Sequence, residues 1–137
     1  MSGETNLTRL LSSMQPTFRE GEYVFCTLPS LSGHDLDPIG FFKEEEGLTL
    51  IVSRHQAEAA GLPYSAIFAM ITLSVHSSLE AVGFLAAIAT RLAIHGISVN
   101  PVSAFYHDHL FVPVVQAETA IALLHELAAE SGSTSSA

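Results

Sequence analysis

The longest apolar run in the chain, residues 66–75 (Ala-Ile-Phe-Ala-Met-Ile-Thr-Leu-Ser-Val), shows little alternation between apolar and polar positions. That pattern predicts a strand covered on both faces. It stops at His76-Ser77-Ser78-Leu79-Glu80. Ser77 and Glu80 have the S-x-x-E spacing of a capping box, so a helix is expected from that junction. Val82, Leu85, Ala86, Ala89, Leu92 and Ala93 then recur at helical spacing, and His95-Gly96 supplies the stop. Two β-like runs follow, residues 97–106 and 110–115, with His107-Asp108-His109 as the turn between them. Pro101 cannot donate to a ladder and marks the first of these runs as an edge or a bulge. Residues 117–129 return to helical spacing, and residues 131–137 form a small-residue tail expected to be disordered.

The first half carries weaker versions of the same signals. Leu7, Leu10, Leu11 and Met14 predict a helix over residues 6–14, closed by Pro16. Strands are expected over residues 23–28 and 48–52, with a short extended piece over residues 39–43. Residues 29–38 (PSLSGHDLDP) read as a surface loop, Glu44-Glu45-Glu46-Gly47 as a solvated turn, and residues 56–60 as a short helix. Aligning the halves exposes an internal repeat. Leu50-Ile51-Val52 before Gln56-Ala57-Glu58 matches Leu110-Phe111-Val112 before Gln116-Ala117-Glu118. Residues 1–63 and 64–130 are therefore expected to be two related halves that share sheet structure through residues 66–75.

Composition narrows the function classes. At 137 residues the chain can bury a core without a metal or disulfide staple. Its single cysteine, Cys26, excludes an intramolecular disulfide and sits in an apolar run that predicts burial. The net charge of −9, from 14 acidic residues against 5 Lys+Arg, leaves no cationic cluster for nucleic acid or an anionic membrane. The start, Met1-Ser2-Gly3-Glu4, lacks the pattern of a signal peptide, and a cytoplasmic location is expected.

The second half resembles an ACT domain, a small ferredoxin-like βαββαβ module that binds amino acids in regulatory proteins. The resemblance rests on Ile71-Thr72-Leu73-Ser74-Val75, Val82 through Ile88 with Gly83-Phe84-Leu85 at the helix start, Gly96-Ile97-Ser98-Val99-Asn100, and Leu110-Phe111-Val112. Val75 through Gly83 with Tyr106-His107-Asp108-His109 is also similar to small bacterial ACT-containing proteins, as is the first half through Phe25 and Gly47-Leu48-Thr49-Leu50. The resemblance implies an α+β fold of tandem ACT-like halves, with antiparallel sheets covered by helices. Two features depart from the family pattern. His76-Ser77-Ser78 stands where many ACT domains place an acidic residue and a proline. The second half also lacks a distinct fourth strand, so a strand from elsewhere should complete its sheet.

The turn before the long helix is the expected binding site. Free backbone N–H groups and the positive end of a helix dipole favour a carboxylate or phosphate there. The candidate ligand-binding residues are His76, Ser77, Ser78, Leu79, Glu80 and Gly83, with Asn100 offering polar contact. The resemblance implies a non-enzymatic regulatory protein that binds an amino acid, needs no cofactor, and pairs its sheets within the chain or as a homodimer. Two other readings stay open: an assembly module with an empty site, and a small metal enzyme using His76, His107 and His109. The chain has no Gly-rich phosphate loop and no G-x-S-x-G elbow. A polar hairpin with backbone-bonded imidazoles accounts more simply for His107-Asp108-His109.

Overall fold

The computed structural model describes residues 3–135. Met1 and Ser2, of the start read against a signal-peptide pattern, and residues 136–137 of the expected tail lie outside the described residues. Helix α1 (Leu7–Ser13) leads into strand β1 (Pro16–Leu28), followed by the hairpin β2 (Gly40–Glu44) and β3 (Gly47–Ser53), then helix α2 (Arg54–Ala59). The second half runs β4 (Phe68–Leu73), α3 (Phe84–Ile94), β5 (Asn100–Ser103), β6 (Asp108–Pro113), a single 3-10 turn, and α4 (Ala117–Ser135). The expected tail is thus helical through Ser135. Among the described residues, no helix is long and apolar enough to cross a membrane.

All strands join one six-stranded sheet of order β2-β3-β1-β4-β6-β5 with every pairing antiparallel. The order is symmetric about the β1–β4 seam. Each half places its first strand at the centre and its hairpin outside. β1 spans 13 residues, longer than the sequence pattern marked, and it serves both halves. Tyr23 through Leu28 pair with β3, whereas Pro16 through Arg19 pair with β4. The register shifts between Arg19 and Tyr23, a bulge that lets one strand follow two differently twisted neighbours. The first half therefore lends β1 as the missing fourth strand of the second, and the second lends β4 in return.

The helices cover one face of the sheet. Ala69, Ile71 and Leu73 of β4, with Leu110 and Val112 of β6, form a core with Leu10, Leu11 and Met14 around α1, Phe84, Ile88 and Leu92 of α3, and Leu123, Leu124 and Leu127 of α4. Helix α1 belongs to the first half by position but packs in the second half's core. A smaller cluster of Val24, Cys26, Leu28, Leu50, Val52 and Ala57 lies under α2. Burial there raises the Cys26 thiol above its ordinary pKa. The inward face of α3 differs from the expected stripe. Phe84, Ile88 and Leu92 point inward, while Val82 lies before the helix and is exposed. Three of the six predicted stripe positions are small alanines, and the larger Phe84 and Ile88 beside that stripe bury more apolar surface.

Candidate functional site

The loop of residues 74–83 is built differently from a capped helix start. Ser77 does not cap α3 and Glu80 does not complete a capping box. The helix begins at Phe84 after Gly83, which adopts φ 90° and gives no side-chain cap. Ser77 is instead drawn inward, nearly buried, and its Oγ donates to Asp108 Oδ2 at 2.7 Å. Asp108 is only 5% exposed, and a buried carboxylate needs a donor more than a helix end in water needs a cap. The N-terminal segment fixes the same loop from the other side. Glu4 N–H donates to His76 O and Ser78 N–H donates to Glu4 O, each at 2.9 Å, in an isolated parallel bridge. Gly3 is required there, because a Cβ on it would meet the Ser77 carbonyl carbon and the Ser78 nitrogen at 2.6 Å. Ser78 Oγ accepts from Glu80 N–H at 3.0 Å, which turns the chain toward Gly83. Gly83 is required for its left-handed φ, which residues with a side chain rarely adopt, and the Leu7 side chain of α1 lies beside it.

These residues border a cavity of about 200 Å³ between the loop, the first turn of α3 and the ends of β5 and β6. Ser77, Ser78, Leu79 and Gly83 line it, together with Phe84, Ser103 and Asp108. The amides of the first turn of α3 have no side-chain acceptor, so the positive end of the helix dipole borders the cavity uncapped. Asp108 provides the opposite sign within the same space. Sequence reasoning placed Asp108 in a turn. The turn lies earlier, over residues 104–107, closed by Ala104 N–H donating to His107 O at 3.0 Å, and Asp108 opens β6. Its place directly before an apolar strand was the available signal, since that register turns it to the helix-covered face beside Leu73.

The remaining candidates are distributed as follows. His76 does not line the cavity. Its ring lies against Tyr106 and Phe105, at centroid distances of 5.4 and 6.3 Å. Glu80 is exposed on the loop. Asn100 sits at the opposite end of β5 from Ser103, where it borders a different hollow with Phe25 and Phe68, so the fold does not bring it to the loop. His107 bonds through Nδ1 to Val75 O at 3.3 Å, and His109 through Nδ1 to Thr72 Oγ1 at 3.0 Å. Among the described residues no three His, Cys, Asp or Glu side chains are grouped to hold a metal.

Comparison with known proteins follows the same two-part organisation. Residues 2–69 and residues 66–126 each match the ACT domain family. The chain is 51% identical to a Vibrio cholerae protein of unknown function, described as a possible transport protein, with TM-score 0.81 over 89% of this chain and 95% of that one. The ligand-free regulatory subunit of aspartate kinase from Thermus thermophilus shares the fold at 10% identity, with TM-score 0.64 over 85% of this chain and 97% of that one. An Agrobacterium tumefaciens protein shares it at 18% identity, with TM-score 0.63 over 84% and 89% of the two chains. No curated protein matches the sequence. Two matched segments that meet at the start of β4, on a symmetric sheet with helices on one face, make this chain a tandem member of the ACT domain family.

Proposed function

We propose that the protein is a non-enzymatic regulatory module that binds a small α-amino acid in the cavity before α3. The carrying observation is the pairing of opposite signs across that space, with the buried Asp108 carboxylate on one side and the uncapped first turn of α3 on the other. A zwitterion satisfies both at once. Its ammonium group pairs with Asp108, and its carboxylate accepts from the helix amides, as charge-assisted hydrogen bonds. Ser77, Ser78, Leu79 and Gly83 shape the wall, and Glu80 and His76 stand on the same loop outside the lining. Membership in the ACT family supports the ligand-binding regulatory role. Binding acts on regulation by favouring one arrangement of loop and partner over another, which requires different affinities for the two.

Leu79, Val82, Phe105 and Tyr106 are each more than half exposed around this loop. Such a patch supports a homodimer that covers the loop, and it is also what an assembly module without a ligand would carry. Titration calorimetry with a panel of α-amino acids separates the two readings, with sedimentation run in parallel. Saturable heat that falls at least about tenfold in affinity on Asp108→Asn is expected from loss of the charge pair. A stable dimer with no heat for any amino acid would replace the ligand-binding reading by the assembly one.

A further inference from the structure

The face of the sheet without helices is buried more deeply than an open face should be. Phe111 is 2% exposed and Ile51 8%, although both point away from the helix-covered core. Part of the cover is an aromatic cluster in which Phe111 meets Tyr23 and Phe25 edge-on, at 6.1 and 5.5 Å between centroids. The rest comes from curvature. Ile39 and Gly40, at one outer edge of the sheet, and Val102 and Ala104, at the other, border a single cavity of about 190 Å³. The two edges thus curl toward each other across the sheet. Met70 and Phe111 form the floor, and His109 is the single ionisable side chain in the lining.

We propose that this cavity is a second binding site, for a neutral single-ring molecule bearing one hydroxyl group. Size argues for one ring. An engineered apolar cavity of about 150 Å³ holds benzene, whereas an α-helix is about 10 Å across and does not fit between the two edges. The hydroxyl follows from His109. Its Nδ1 is engaged by Thr72, and no other hydrogen bond reaches the ring among the described residues, which leaves Nε2 for an occupant. A hydroxyl both donates and accepts, so it pairs with Nε2 in either neutral tautomer. Neutrality follows from the walls, since an apolar lining cannot compensate a buried charge. The Arg19 guanidinium, close enough to influence His109, further disfavours a cation. This site lies on the opposite face of the sheet from the Asp108 cavity and does not depend on it.

The probe is p-cresol, compared with p-xylene, in which a methyl group replaces the hydroxyl. Binding is followed by NMR of the full chain at the Met70 and Ile51 methyl groups and at the His109 ring nitrogens. Saturable shifts at these positions are expected, with p-cresol binding about fivefold tighter than p-xylene, the size of one net hydrogen bond. His109→Phe should bring the two probes to nearly equal affinity. Val102→Trp, on a half-exposed edge position, should fill the cavity and abolish binding with a folded spectrum. The absence of saturable shifts up to the solubility of p-cresol overturns the proposal. So do equal affinities in the native protein, shifts confined to residues 77–83, or a dimer whose contact covers Val102 and Ile39. Amino-acid titrations report on Ser77, Gly83 and Asp108 instead, so either site can fail alone.

Discussion

At the scale of single residues, the chain's polar groups act mainly through where burial puts them. Asp108 and His109 are neighbours on β6, yet alternation sends them to opposite faces of the sheet, Asp108 beside Leu73 and His109 beside Thr72. Burial, with His107 and Arg19 nearby, lowers the pKa of His109, while Asp108 pulls the other way. A lowered folded pKa means that the unfolded chain takes up this proton first. The contribution of His109 is therefore complete above the ordinary histidine value of about 6.5 and is lost as pH falls from there through the lowered folded value. Thermal melts from neutral pH down to mildly acidic pH should show stability falling in the native protein. The fall should be shallower in His109→Gln, and an equal slope would refute this assignment. The Ser77–Asp108 bond shows the limit of motif reading at this scale. S-x-x-E has the right residues for a cap, but a buried carboxylate from a distant strand competes for the same hydroxyl and wins because burial makes its need greater.

At the scale of elements, the long helix α3 is held by apolar contact more than by charge. Ile88 is fully buried against the sheet, whereas Arg91 reaches Glu130 of α4 through two hydrogen bonds of 2.7 and 2.8 Å at a partly exposed position. Ile88→Ala should cost about 2–5 kcal/mol through lost burial and the cavity left behind. Arg91→Ala should cost about 1 kcal/mol or less, because exposed ion pairs gain little over solvated ones. Denaturant unfolding of both variants checks the ranking, and the reverse order would mean that the helix docks through its charges. Most elements were legible in the sequence. The β2–β3 turn, the loop over residues 29–38 and the edge strand at Pro101 follow their Gly, Pro and Asp signals. The start of α3 at Gly83-Phe84 follows the family resemblance, whereas the capping box at Ser77 and Glu80 misled, because a capping sequence specifies an available hydroxyl and not where that hydroxyl will be used.

At the scale of the whole molecule, the two halves are related in sequence but do not stand alone. The core of the second half includes Leu10, Leu11 and Met14 of the N-terminal segment, and β1 completes its sheet. Residues 64–137 expressed alone should lack a cooperative melt and disperse poorly in NMR spectra. Addition of residues 1–28 as a separate peptide should restore structure. A stable fold of residues 64–137 without the peptide would show that the shared strand is dispensable. The same interlocking fixes the loop of residues 74–83, since Glu4 and Leu7 brace it from the other half.

The sequence by itself determined the class of most elements, their order and the repeat. These follow from periodicity and turn chemistry, which are local properties of the chain. Only the tertiary structure decided that Ser77 serves Asp108, that Asn100 stands apart from the loop, and that β1 and β4 are exchanged between halves. It also decided that the helix-free face curls around a cavity. Each of these depends on which distant segment competes for a hydrogen bond or an edge, and on the curvature that pairing imposes. Those quantities exist only once the sheet has closed its register.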